Sequence, residues 1–130
     1  MITKLEDGKY IIKVTALHVE KEKLSAMSQY LGEVAILTKD THNLTITLML
    51  TDNEIITGFQ LVDKNNQKII AKETQTNIES NSHYQLFELE DLPYYLKASV
   101  QYKIEHEGRI INGDEMLRLK LDFDHLEKVE

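Results

Sequence analysis

The sequence predicts an all-β sandwich of about eight strands with one short helix, and three observations carry that prediction. Apolar residues recur at every second position in the long patterned runs, and polar turn residues punctuate the chain at short, regular spacing. A single stretch, residues 24–31, departs from period two. At 130 residues, 42% hydrophobic and 28% charged, the chain is sized for one domain, residues 1–130, with a core of its own.

Gly8-Lys9 opens the first strand, in which Tyr10, Ile12, Val14 and Ala16 alternate with Ile11, Lys13 and Thr15. Residues 24–31 predict a helical turn, because Ser25 can cap its free N–H groups and Gly32 suits its exit. Residues 34–38 follow as a strand, then Leu44, Ile46, Leu48 and Leu50 alternating with Thr45, Thr47 and Met49. Further β-type runs span residues 55–62, 68–72, 84–89, 98–106 and 116–123, separated by turn clusters at 40–43 and 63–67. Pro93 fits a connection between strands, and residues 77–82 read as a surface loop. The expected core is Val14, Ile46, Leu48, Phe59, Phe87, Val100, Ile104, Leu119 and Leu121.

Composition removes whole classes of function. Fifteen Lys and Arg against 22 Asp and Glu leave a formal charge of −7, the wrong sign for neutralising phosphates, so nucleic acid is not an expected partner. The absence of cysteine excludes thiol nucleophiles, thiolate metal sites, iron–sulfur clusters and disulfides together. No apolar run has the length of a membrane span or a signal segment, so the chain is expected to be cytosolic or an excised module, without membrane insertion of its own. Gly-rich phosphate loops, His-Glu-x-x-His pairs and Gly-x-Ser-x-Gly elbows do not occur, and an enzyme is not expected. His18, His42, His83 and His125 read as solvated surface. The acidic pairs Glu20/Glu22 and Asp122/Asp124 read as outward positions that discourage strand pairing.

Three stretches, in order, carry a family resemblance. They are Leu5-Glu6-Asp7-Gly8-Lys9-Tyr10 with Ser25-Ala26-Met27-Ser28-Gln29-Tyr30-Leu31; Leu44-Thr45-Ile46-Thr47-Leu48; and Phe87-Glu88-Leu89-Glu90-Asp91-Leu92, Val100-Gln101-Tyr102-Lys103-Ile104 and Leu117-Arg118-Leu119-Lys120-Leu121-Asp122. Together they resemble the near-iron-transporter (NEAT) domains of Gram-positive surface proteins over nearly the whole chain. The resemblance implies an immunoglobulin-like β-sandwich and a non-enzymatic haem-binding and haem-relay role. It implies a place at the cell wall or cell surface as an excised domain of a larger exported protein. It also implies haem held between the short helix and the last β-hairpin, and haemoglobin or another haem-carrying NEAT protein as a partner. The alternative is a module that binds haemoglobin or host matrix without haem.

Carried over residue by residue, Ser25 would donate to a propionate, Ala26 would border the ligand and Tyr30 would pack beside the porphyrin. The family's two final-strand tyrosines fall at Ile111 and Glu115, and no tyrosine occurs between Arg109 and Glu130, so the usual phenolate–iron bond from that strand is lost. Met27 in the helix and Met116 in the hairpin are the expected replacements, since thioethers can ligate haem iron and some streptococcal members resemble this arrangement. Strict alternation sets Met116 on the face of Arg118 and Lys120, so this assignment requires a bulge at Gly113. His106, on the face of Val100, Tyr102 and Ile104, is the runner-up ligand; Tyr102 itself reads as a core residue with its hydroxyl satisfied. Tyr94 and Tyr95 read as a protein-contact pair or as a clasp over the sandwich end.

Overall fold

The structure, a computed structural model, describes residues 5–129; residues 1–4 and 130 lie outside it. Nine strands and one 3₁₀ helix follow one another: β1 (Gly8–His18), the helix (Ala26–Tyr30), β2 (Val34–Asp40), β3 (Asn43–Thr51), β4 (Ile56–Val62), β5 (Lys68–Ile69), β6 (Glu73–Asn77), β7 (Ser82–Glu88), β8 (Tyr95–His106) and β9 (Arg109–Lys128). They form one ladder in the order β5-β4-β8-β9-β1-β2-β3-β7-β6. The ladder curls into a sandwich. Phe59 of β4 and Phe87 of β7, far apart in that order, meet edge to face with centroids 5.8 Å apart.

Period two fixes which side of each strand is inside. Tyr10, Ile12, Val14 and Ala16 of β1 are buried, as are Ile46, Leu48 and Leu50 of β3 and Leu117, Leu119 and Leu121 of β9. One member of the expected core departs from this: Ile104 is 37% exposed, for a reason given below.

Two elements differ from the sequence expectation. The run 68–72 is only a two-residue strand, and Glu73–Asn77 forms an additional edge strand, every residue of which is exposed. A strand with no buried face has no hydrophobic alternation to betray it. Gly32 also acts differently: it follows the helix C-cap, Leu31, with ordinary backbone, and a Cβ there would lie 3.1 Å from the Met49 Cε. Its smallness lets Met49 close over the helix exit.

Among the histidines, His42 and His125 are exposed as expected. His18 and His83 are half-buried and bonded instead. The His18 Nδ1 accepts from the Glu20 and Lys21 amides, and the His83 ring meets the Asn53 and Gln85 side chains at 2.7 and 3.0 Å.

Candidate functional site

The last hairpin outruns its neighbours. Glu107 and Gly108 both take positive φ, 51° and 75°, which is the two-residue turn whose twist matches paired strands. From it the register runs unbroken from His106↔Arg109 to Tyr95↔Lys120. On one side β1 ends with His18↔Leu117; on the other β4 reaches no further than Ile56↔Tyr102. Lys103 N–H still donates to the Ile55 carbonyl just before β4, at 2.8 Å, and residues 104–111 project beyond it as a two-stranded ribbon with no strand beside either edge.

The inner face of this ribbon continues the core face of Ala98 and Leu117. Moving outward, it carries the opposed pairs Val100/Glu115, Tyr102/Gly113, Ile104/Ile111 and His106/Arg109. Ile104 and Ile111 are 37% and 49% exposed although they point to the inner side. They lie past the last paired residues of β1 and β4, so they are only partly covered, which explains why Ile104 leaves the core.

The 3₁₀ helix stands at the same end. After His18 the chain turns back, with His18 N–H donating to the Lys23 carbonyl at 2.8 Å and Ser25 N–H to the Ala16 carbonyl at 3.0 Å. Ser25 then caps the helix: its backbone is extended and its Oγ accepts from the Met27 amide at 3.1 Å. Met27 points down into the core and is 5% exposed, Tyr30 is half-buried against that core, and Ala26 is exposed. Arg118 binds this turn to β9 through the carbonyls of His18 and Lys21, each at 3.1 Å, and the Glu22 carboxylate at 2.9 Å. Helix and ribbon thus border one end of the core, held in place by the strand that becomes the ribbon.

The structure brings the expected site residues only partly together. Ser25, Ala26, Met27 and Tyr30 lie on the helix side, and Ile111 and Glu115 share the ribbon's inner face. Met116 does not join them. The register passes Gly113 without a bulge, so Met116 stays on the outer face opposite Ser99, beside Arg118. The expected pairing of Met27 and Met116 is corrected accordingly, because one thioether is sealed in the core while the other points away from it. His106 is on the inner face but at the ribbon's tip, exposed, with Nε2 4.0 Å from the Glu107 carboxylate.

Tyr102 is also not the satisfied core residue the sequence suggested. It is half-buried, and its hydroxyl has no hydrogen-bond partner among the described residues. Its ring lies across the backbone of Gly113, where a Cβ would overlap Cζ and Oη. The signal was present in the sequence: counting outward from a two-residue turn at Glu107-Gly108 sets Tyr102 opposite the one residue that leaves room for its ring. No three His, Asp or Glu side chains converge as a metal site among the described residues, and no helix there is long and apolar enough to cross a membrane.

Known proteins share this fold. The NEAT5 domain of IsdX2, a B. anthracis hemophore, solved in complex with heme, superposes with a TM-score of 0.75 at 25% identity, covering 90% of this chain and 97% of that one. A point mutant of the same IsdX2 domain, also in complex with heme, matches with a TM-score of 0.75 and 25% identity over 91% and 97% of the two chains. No curated protein matches. The family model of the NEAT, or iron transport-associated, domain matches residues 3–125, and the chain belongs to that family.

Proposed function

We propose that this domain is a haem-binding module of a bacterial iron-acquisition system, taking its ligand between the 3₁₀ helix and the inner face of the β8–β9 ribbon. The observation that carries the reading is the pair Ile104 and Ile111, two apolar side chains on the inner face that remain 37% and 49% exposed. A porphyrin has two broad apolar faces, and burying them against such a pair is the main source of affinity in a site of this kind. The structurally similar IsdX2 domain was solved in complex with heme, which supports haem as the ligand.

The residues fit a planar, amphipathic ligand. Ile104 and Ile111 offer the apolar wall, Ala26 and Tyr30 stand on the helix side, and Met27 forms part of the floor beneath the helix. Ser25, 5% exposed at the helix start, accepts from the Met27 amide, and its hydroxyl hydrogen would be the donor to a propionate seated against that turn. The bound group supplies an iron centre, and the protein's part is to shield and orient it. This is the work of a carrier rather than an enzyme, at the cell surface or in a secreted protein, passing haem to another carrier.

Titration of the domain with ferric haem, followed in the Soret band, tests this. One-to-one saturation is expected, and an Ile104→Glu, Ile111→Glu variant should bind roughly tenfold or more weakly while unfolding at the parent's urea midpoint. No saturable Soret change in the parent would overturn the proposal. A second reading, a haemoglobin- or matrix-binding module without haem, draws on Tyr94 and Tyr95, which are exposed where the chain enters β8. In that case haemoglobin would be retained by the parent, lost by a Tyr94→Ala, Tyr95→Ala variant, and haem would be ignored.

A further inference from the structure

Granting the haem reading above, we infer that Tyr102 supplies the iron ligand, as a phenolate delivered from β8 across the hairpin. Four observations converge on it. Tyr102 is on the inner face of the ribbon, one opposed pair below Ile104/Ile111 and one above Val100/Glu115. Its ring leans over Gly113, so that Cζ and Oη occupy the space a β9 side chain would otherwise take. The hydroxyl is therefore presented between Ile111 and Glu115 along β9, although its backbone belongs to the other strand.

The third observation is the hydroxyl's lack of a partner. A tyrosine packed only for structure usually gives its O–H a hydrogen-bond acceptor, and this one is bonded to none of the described residues and is not sealed from solvent. The fourth is the position of the competing donors: the Met116 thioether points to the outer face, the Met27 thioether is in the core, and His106 is at the exposed tip. The Glu115 carboxylate shares the inner face one opposed pair deeper, opposite Val100, and Tyr30 is half-buried on the helix side; Tyr102 is the inner-face oxygen donor next to Ile104/Ile111, and the one whose ring leans across to β9.

The chemistry balances without a further reactant. The phenol O–H breaks, its proton leaves to water, and the oxygen pair forms a bond to ferric iron; no electron is transferred. A hard anionic oxygen favours the ferric over the ferrous state, the opposite preference from a thioether. Gly113 is then a positioning residue, required because any side chain there would push the phenol off β9.

The test is Tyr102→Phe, which keeps the ring and removes only the oxygen. In the parent, the ferric haem complex should show a phenolate-to-iron charge-transfer band and phenolate vibrations in its resonance Raman spectrum. Tyr102→Phe should lose both, lower ferric haem affinity roughly tenfold or more, and unfold at the parent's urea midpoint, since the Tyr102 hydroxyl bonds to none of the described residues. His106→Ala and Met116→Ala should keep the parent spectrum. A parent complex without phenolate signatures, or a Tyr102→Phe complex that retains them, overturns the ligand assignment while haem binding stands. A parent that takes up no haem overturns both.

Discussion

The Arg118 guanidinium holds the carbonyl of His18, the last residue of β1, from the adjoining strand, with an Nε···O distance of 3.1 Å. The same side chain reaches the Lys21 carbonyl and the Glu22 carboxylate and lies over the Tyr95 ring, 4.9 Å from its centroid. One residue of β9 thereby fixes the turn that delivers the helix, three residues after Glu115 and five after Gly113, the positions of β9 on the inner face of the slot. The two walls of the candidate site are coupled through this arginine.

Arg118→Ala should therefore cost about 1–2 kcal/mol of stability, since two carbonyls lose a charged donor at a half-buried position. The turn should also loosen selectively. Hydrogen exchange of the His18 and Ser25 amides should quicken more than that of Ile46 in β3. Uniform protection across all three would show that the turn holds itself.

Tyr102 and Gly113 should prove energetically coupled. Gly113→Ala alone is expected to destabilise the apo-domain by about 1 kcal/mol or more, because the ring must swing off β9. In a Tyr102→Ala background the same change should cost little. A double-mutant cycle on urea unfolding gives the coupling directly, and additivity of the two substitutions would contradict the packing described.

The two methionines should behave as differently as their surroundings. Met27→Ala removes a buried side chain from the core and should cost about 2–4 kcal/mol. Met116→Ala, at a half-buried outer position, should cost under about 1 kcal/mol. Denaturant titration of the two apo-variants checks the order, and equal losses would mean that Met116 packs inward.

Burial holds the His83 imidazole below its ordinary value of 6.5. The unfolded chain then takes up this proton first, so His83 makes stability fall as the pH drops below about 6.5 towards the folded value, and rise again in the other direction. His83→Gln should shrink the loss of stability between about pH 7.5 and about pH 5.5. An unchanged pH dependence of the urea midpoint would show that His83 does not contribute.

How legible this molecule was in its sequence depended on burial. Strands with one buried face, such as β1 and β3, announced themselves by alternation, and the helix by the capping serine at its start. Glu73–Asn77 was missed because both its faces are wet. At the site, the helix residues and the inner-face positions Ile111 and Glu115 could be assigned from family resemblance and register. Alternation already set Met116 on the face of Arg118 and Tyr102 with Val100 and Ile104; Met116 could be brought to the slot only by a bulge at Gly113, and the ribbon runs past Gly113 without one. Whether a strand slips by one residue is decided by the turn and the partner strand, and one slip exchanges the faces.

The pairing of β1 with β9 sets how the domain answers to pulling. Tyr10 lies opposite Lys128, and Val129 N–H donates to the Lys9 carbonyl at 2.8 Å, so the two ends of the described chain leave from the same end of one antiparallel pair. Tension applied between them would load these bonds singly and in succession, as in a zipper, rather than all together in shear. The first bonds to part would be those farthest from the ribbon and the helix. A domain stretched in this way would lose its first few residue pairs at low force while the slot at the opposite end of β1 stayed assembled.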